Sequence, residues 1–357
     1  MKSPCMRAML VAATLAVLAA CSSAPTISQR NQVLRATEVL SDQDFAVPVE
    51  GGLTTLLPVY SNVKLVEAHP GIKRATIAIQ TPTRDAFAVY DALKTSLGAR
   101  LAEGGDAALL VPQFLSQQDI DRHQLGPDFA RWTVDNWMVG GSTRPVTLRD
   151  AAVPVSSFAV LDALLLYLAD RQQYPDLEEI QLVGYGASAR LIQLYAAVAK
   201  GLGPPRAAGI RVRYVVLSPE SHLYFDDRRA PRADAPFALV ERDRCAGYQL
   251  WPYGTVVAPA YAAGQLARDM AAEYAASDIL LLRAEREIEG TDRGCEAMAQ
   301  GRNRVERLEL YLRHLAAYIG GAPSGVRSAI VRGADGSLRG MLTSSCVREI
   351  LSGAAGC

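Results

Sequence analysis

Histidine is scarce in this chain, with four among 357 residues: His69, His123, His222 and His314. None belongs to an HExxH or His-x-His pattern, and no two cysteines have CxxC spacing, so we expect no metal site and no other cofactor. An excess of charge of either sign is also lacking, because 37 basic residues balance 37 acidic ones. Since no basic block stands out, we expect no nucleic-acid partner.

A long hydrophobic segment is lacking as well. After Lys2 and Arg7, the apolar run at 9–18 is too short to span a bilayer and is typical of a signal peptide. The Leu-Ala-Ala-Cys sequence at 18–21 resembles the lipobox of bacterial lipoproteins, which implies cleavage before Cys21 and lipid attachment to it. The alternative is an ordinary secretory signal with a small-residue cleavage site.

The same resemblance predicts a location. In lipoproteins of two-membrane bacteria, a residue other than Asp after the lipidated cysteine, here Ser22, implies sorting to the outer membrane. We therefore expect an exported protein, lipid-anchored at the periplasmic face of the outer membrane. The predicted organisation is a signal peptide at 1–20, a Ser-, Thr-, Gln- and Pro-containing tether at 21–52, and one folded domain at 53–357.

Four cysteines remain once Cys5 is removed with the signal peptide and Cys21 carries lipid. An even number in an oxidising compartment predicts disulfides, and four cysteines allow three pairings. We favour Cys245 with Cys295, and Cys346 with Cys357 because that pair closes a short C-terminal loop; buried free thiols are the alternative.

Strand-like and helix-like segments alternate from about residue 53. Short, continuous apolar runs predict buried parallel strands at 75–80, 107–114, 180–184, 212–218, 279–283 and 329–331. Helical periodicity predicts helices at 83–97, 156–172, 187–200, 261–275 and 297–318. This alternation predicts an α/β fold with a doubly wound, mostly parallel sheet flanked by helices, and an irregular insertion at about 220–258.

The most informative motif is Gly-Tyr-Gly-Ala-Ser at 184–188, which joins a predicted strand to a predicted helix. In many hydrolases a Gly-x-Ser-x-Gly motif at such a corner holds the nucleophilic serine. Here Gly186 stands at the nucleophile position, so the motif predicts the corner without its attacking oxygen.

Several stretches in a common order carry a wider resemblance: 111–114, 137–141, 155–170, 184–188, 217–229, 248–254 and 294–307. On these stretches the chain resembles a family of exported α/β-hydrolase-like proteins of bacteria and fungi. The resemblance implies an α/β-hydrolase-type fold. In the family the corner reads Gly-His-Ser-Ala-Gly, and a catalytic histidine stands in a late Gly-His-Asp-Gly stretch that here reads Gly-Ala-Asp-Gly, with Ala334 in place of histidine.

A serine triad therefore lacks its nucleophile at Gly186 and its base at Ala334. The resemblance implies an acid shortly after the 279–283 strand, where the local sequence places Glu285 and Glu287. Backbone oxyanion donors are expected from Ala187 and from the vicinity of Gln113 and Phe114. A pocket with donors but no nucleophile is predicted to bind a carbonyl or carboxylate without changing it.

A non-standard site is the rival hypothesis. Ser188 could attack with His222 or Glu285 as its partner, although a helix-capping or helix-surface serine and a packed loop histidine are the simpler interpretations. Asp226 and Asp227 could form a carboxylate site, but the two arginines that follow them favour local ion pairing.

The sequence thus favours a lipid-anchored pseudoenzyme of the cell envelope, a non-catalytic binding or assembly component that holds a small acyl-type ligand or a protein partner. The first alternative is an active envelope serine hydrolase, an ester or acyl hydrolase that uses Ser188 with His222. The second is a structural subunit whose former pocket is filled by side chains.

Overall fold

The computed structural model describes residues 36–144, 154–241, 243–287 and 292–357. The predicted signal peptide at 1–20 and the predicted lipidation site Cys21 lie outside these residues. Among the described residues, none of the helices combines the length and the apolar character needed to cross a bilayer.

One eight-stranded sheet forms the centre of the molecule, in the order β1-β2-β4-β3-β5-β6-β7-β8. Strand β1 pairs with β2, and β2 with β4, in antiparallel register, whereas β3 to β8 join the sheet in parallel register. The strands are β1 Asp44–Pro48, β2 Thr54–Ser61, β3 Arg74–Ala78, β4 Ala107–Pro112, β5 Glu179–Tyr185, β6 Arg211–Leu217, β7 Asp278–Ala284 and β8 Val326–Val331.

Helices cover both faces of this sheet, as expected for parallel strands that are buried on both sides. One apolar cluster includes side chains of α1, α9 and α10, and a second includes side chains of α3, α4, α6 and α8. The helices are α1 Ala86–Leu97, α2 Gln117–His123, α3 Ser157–Leu168, α4 Ala187–Val198, α5 Gly203–Ala207, α6 Ala267–Ala276, α7 Cys295–Met298, α8 Arg304–Ile319, α9 Leu338–Leu342 and α10 Ser345–Leu351.

The predicted α/β class and mostly parallel sheet are confirmed, with corrections to several elements; the helix expected at 261–275, for example, begins at Ala267. Strands β1 and β2 were not predicted, and β1 lies within the expected 21–52 tether, so the folded part begins before residue 53. The helix expected from residue 83 begins at Ala86, where the Asp85 side chain accepts a hydrogen bond from Ala88 N. The helix expected at 297–318 is two helices, separated by a segment in which Gly301 has φ 143°.

The cysteines pair as predicted. Cys245 lies beside Cys295 with a Cα–Cα distance of 5.6 Å, and Cys346 lies beside Cys357 with a Cα–Cα distance of 5.0 Å. The first pair joins the 220–258 insertion to α7, and the second fastens the C-terminus to α10. The insertion is mostly irregular, as predicted, with a two-stranded pairing of Arg228–Arg229 with Ala238–Leu239.

Candidate functional site

The corner between β5 and α4 has the sharp geometry that the motif predicts. Gly186 has φ 61° and ψ −119°, a conformation that side-chain-bearing residues rarely adopt, and its N–H donates to Leu217 O at 2.9 Å. A β-carbon on Gly184 would lie 2.4 Å from the Ser188 carbonyl oxygen, so only glycine allows this helix to pack so close to the strand. The strained corner is therefore present without a nucleophilic side chain.

The space over Gly186 is occupied by charged side chains. A β-carbon on Gly186 would lie 3.9 Å from Nη2 of Arg304 and 4.0 Å from Oε1 of Glu220. These side chains come from different parts of the chain, since Glu220 follows β6 and Arg304 is the first residue of α8. The sheet edge that would hold a substrate in a hydrolase thus holds an ion pair here.

Arg304 forms ion pairs with two carboxylates, those of Glu220 and Glu287. Arg304 Nη2 contacts Glu220 Oε1, and Arg304 Nη1 lies 3.0 Å from Oε1 of Glu287, in the loop after β7. The three side chains are only 6–8% exposed. Glu287 Oε2 also accepts hydrogen bonds from Ser218 Oγ at 2.8 Å and from Ala284 N at 3.0 Å. We call Glu220, Arg304 and Glu287 the central ion-pair cluster.

Electrostatic interactions with its two carboxylate partners keep the Arg304 guanidinium charged. Burial by itself would lower the pKa of Arg304, but the charges and hydrogen bonds of Glu220 and Glu287 outweigh it and raise the pKa above its ordinary value. A buried ion pair persists only when its members are paired and hydrogen-bonded in this way. The central ion-pair cluster is therefore a fixed part of the fold.

Two further arginines, Arg307 and Arg190, lie next to the central ion-pair cluster. Arg307, also on α8, donates to Asp292 O at 2.9 Å and to Glu220 O at 2.5 Å. Arg190, in the first turn of α4, lies 3.3 Å from Asp292 Oδ2, which also accepts a hydrogen bond from the Tyr253 hydroxyl at 2.8 Å. These contacts bind α4, α8 and the insertion together over the corner.

The late loop after β8, residues 332–337, contains no histidine. Ala334 is 3% exposed and belongs to the apolar cluster formed with α1, α9 and α10. Tyr185, just before Gly186, reaches this loop with its hydroxyl and donates to Gly336 O. Glu285 is exposed and accepts a hydrogen bond from Gly333 N at 2.8 Å, whereas Glu287 turns into the central ion-pair cluster.

The rival pair Ser188 and His222 is not assembled in the structure. Ser188 is buried and its Oγ donates to the carbonyl oxygen of Gln80, rather than capping a backbone N–H as expected. His222 is buried too, with Nδ1 at 2.8 Å from Gln193 Nε2 and its ring stacked on Tyr311 at 4.4 Å between centroids. Burial, together with the Arg307 charge, lowers the pKa of His222 to about 3, so the ring is neutral.

The expected oxyanion residues fall into two groups. Ala187 is the first residue of α4, directly after the corner, as predicted. Gln113 and Phe114 instead follow β4, which is separated from β5 by β3. The N–H of Gln113 donates to Pro58 O at 2.8 Å and so is already engaged, and the Phe114 ring stacks on Trp137.

The local ion pairing expected for Asp226 and Asp227 takes the form of a charge interaction of both with the buried Arg229, without a direct ion pair to an Arg or Lys among the described residues. Asp226 Oδ1 accepts a hydrogen bond from the backbone N–H of Arg228 at 2.9 Å. Its ionisable neighbour is His314, with Nδ1 at 3.7 Å. Burial, with the Arg229 charge, lowers the pKa of His314 to about 3, so this contact joins a carboxylate to a neutral ring.

An open cleft lies outside the central ion-pair cluster. Its volume is about 680 Å³, and Arg304 and Glu287 form part of its wall with the start of α8 and residues 232–234 of the insertion. Arg232 pairs with Asp234, and Arg302 with Glu306, so these charges are compensated locally.

Comparisons with known proteins bear on the fold. No protein-family model matches the sequence, and no curated protein matches it. Among solved structures, poly(aspartic acid) hydrolase-1 from Sphingomonas sp. KT-1 aligns with a TM-score of 0.52 and 16% identity over 85% of this chain and 96% of that chain. A poly(3-hydroxybutyrate) depolymerase from Bordetella parapertussis gives 0.51 and 14%, over 84% and 87% respectively.

The chain has the α/β-hydrolase fold. At these identities the similarity establishes architecture, and function is argued from the site itself. Sequence reasoning located the corner at Gly186 but missed the pairing of Glu220 with Arg304. The available signal was the position of Glu220 and Glu287, each a carboxylate just after a strand end, where sites form in parallel sheets.

Proposed function

We propose that this protein is a non-catalytic, lipid-anchored binding or assembly component of the bacterial cell envelope. The observation that carries the proposal is the corner itself, where Gly186 offers no nucleophile and the central ion-pair cluster occupies the space above it.

The missing groups decide against ordinary serine chemistry. In a serine hydrolase, loss of the nucleophile or the base alone lowers kcat by about 10⁶. Here both positions are changed, to Gly186 and to a buried Ala334. Ser188 and His222 do not compensate, because each is hydrogen-bonded elsewhere in the interior.

The filled corner also favours a protein partner over a small acyl ligand. A ligand that extends beyond the β-carbon position of Gly186 would meet the side chains of Arg304 and Glu220, which lie 3.9 and 4.0 Å from that position. Displacing them would separate a buried ion pair, which costs several kcal/mol (about 3–5 kcal/mol for removal of one partner). We therefore place the binding function on the outer surface of the molecule.

The envelope location is supported by the sequence. The 18–21 Leu-Ala-Ala-Cys motif and the signal-like run before it are typical of exported lipoproteins. Two disulfide pairs in the folded domain agree with an oxidising compartment.

Hydrolysis of p-nitrophenyl acetate and butyrate tests the proposal. We expect the exported chain, purified as a Cys21→Ser variant, to show no turnover above the buffer rate, and Ser188→Ala to behave identically. Turnover by the parent chain that disappears in Ser188→Ala, or in Glu285→Gln, would establish the alternative, an active ester hydrolase.

A further inference from the structure

A groove on the insertion combines apolar and acidic side chains. It has a volume of about 550 Å³, and its lining includes Asp226, Asp227, Tyr248, Leu250 and Val256. We call it the insertion groove. It is separate from the cleft beside the central ion-pair cluster, because the two share no lining residue.

A single buried cation fixes the shape of the insertion groove. Arg229 is 3% exposed, and its guanidinium lies 5.2 Å from the centre of the Tyr248 ring. Nη2 donates to Tyr248 O at 2.9 Å and Tyr253 O at 3.2 Å, and Nη1 donates to Asp226 O at 2.8 Å. Because these acceptors come from both ends of the insertion, the groove is organised before any ligand arrives, which lowers the entropic cost of binding.

The apolar part of the groove is exposed without a covering element. Leu250 is 43% exposed and Val256 47% exposed, and the two are joined by a β-bridge. The adjoining Val257 is 79% exposed and has φ 57°, which is rare for a β-branched residue. Residues 245–267 contain no Asp, Glu, Lys or Arg, although 21% of the chain is charged. An exposed, uncharged stretch of this kind marks an interaction surface.

The acidic part of the groove carries two carboxylates that feel the charge of the buried Arg229 but form no direct ion pair with an Arg or Lys among the described residues. Neither Asp226 nor Asp227 lies within 4.0 Å of an Arg or Lys side chain among the residues that the structure describes. The ionisable contact of Asp226 is the neutral His314 at 3.7 Å. The N–H groups of Arg229 nearby are directed to carbonyl and amide oxygens instead.

We infer that the insertion groove binds an extended segment of a partner protein in which a Lys or Arg lies beside an aliphatic or aromatic residue. The cation would meet Asp226 and Asp227, and its apolar neighbour would cover Leu250 and Val256, since complementary charge and buried apolar area together define such interfaces. A bilayer surface is the poorer match, because an anionic leaflet repels two carboxylates. This inference rests on the proposed assembly function and names its partner chemistry.

Selection from a phage-displayed library of random linear peptides tests the inference. The bait is the full exported chain with Cys21→Ser, and the most enriched peptide is then titrated by fluorescence anisotropy. We expect enriched peptides to pair Lys or Arg with a neighbouring apolar residue. Asp227→Asn should weaken binding about fivefold to tenfold, with a similar loss for Val256→Ser. Asp243→Asn, which removes the same charge from the same insertion outside the groove, should leave affinity unchanged.

Several results would overturn the inference: no enrichment, enriched peptides without a cation, or binding that Asp227→Asn and Val256→Ser both leave intact. Light scattering that shows a dimer dissociated by Val256→Ser would assign the groove to a second copy of this chain. Binding to phosphatidylcholine–phosphatidylglycerol vesicles that Val256→Ser abolishes would assign it to lipid. The hydrolysis assay on the same preparation tests the proposed function separately, so the two can fail independently.

Discussion

Nη2 of Arg304 lies 3.9 Å from the point where a β-carbon on Gly186 would stand. In active members of this fold that β-carbon carries the attacking oxygen. The corner that positions a nucleophile has been kept, while a buried cation and its carboxylate partners occupy the reaction space. Under the proposed non-catalytic function, substitutions here should act through stability and partner binding rather than through turnover.

Arg304→Met tests whether the central ion-pair cluster stabilises the fold. The substitution leaves Glu220 and Glu287 buried without their shared cation, and breaking a buried pair in this way costs about 3–5 kcal/mol. We expect the free energy of unfolding in urea at pH 7.5 to fall by that amount. Arg302→Met, which removes an exposed arginine paired with Glu306, is the matched control and should change it far less.

Gly186→Ser asks whether restoring the hydroxyl restores reactivity. A β-carbon at this position makes ordinary van der Waals contacts, so the cost is the positive φ of 61°, about 1–3 kcal/mol. We expect a folded protein that still does not hydrolyse p-nitrophenyl esters, because no base replaces the histidine at Ala334. Gly186→Ala carries the same backbone strain without the hydroxyl and is the control; faster hydrolysis by Gly186→Ser than by Gly186→Ala would contradict the prediction.

His222 gives the stability a predictable pH dependence. Its pKa is lowered to about 3 in the folded state, chiefly by burial, whereas the unfolded chain binds a proton near pH 6.5. The unfolded state therefore holds more protons below pH 6.5, and stability falls as the pH falls, by about 2 kcal/mol between pH 7 and pH 5 for this residue. His222→Phe should remove that contribution. The difference in the free energy of unfolding between the parent chain and the variant should therefore change by about 2 kcal/mol between pH 7 and pH 5. A pH-independent difference would show that the ring is accessible to protons.

The disulfide that closes the longer loop should stabilise the fold more, although only as the logarithm of the loop length. Cys245 and Cys295 are separated by 50 residues, and Cys346 and Cys357 by 11. In the chain-entropy model, removal of the first by a double alanine substitution costs about 4 kcal/mol and removal of the second about 3 kcal/mol. Unfolding in urea measures the loss of stability in both double variants. A non-reducing peptide map that links Cys245 to Cys346 or Cys357 would contradict the pairing.

The sequence predicts the central strands well, because a continuous apolar run is the pattern expected for a strand that is buried on both faces. Strand β4, Ala107–Pro112, is buried throughout, so its apolar run alone indicates a central strand. Strand β1, Asp44–Pro48, alternates exposed and buried residues over five positions within a polar stretch, which is too short to distinguish from a tether. The break at Gly301 was missed because helical periodicity continues on both sides of it.

The candidate site, like the fold, could be predicted from the sequence only in part. Gly186 at the corner and Ala334 in the late loop could be singled out from the sequence because each lies inside a local motif. The contacts of Arg304 with Glu220 and Glu287 could not, because the three residues lie on separate segments that only the sheet topology brings together. A local motif therefore identifies the residue at the corner, Gly186, whereas the side chains next to it are determined by long-range packing.

Intact-mass analysis after incubation with a fluorophosphonate tests the central claim most directly. An activated serine in any arrangement reacts with this reagent to give a covalent phosphonyl adduct. We expect the chain from residue 21 onward, with Cys21→Ser, to keep its unmodified mass while an active esterase in the same tube is labelled completely. A stoichiometric adduct that maps to Ser188, or to any other serine of the folded domain, would contradict it.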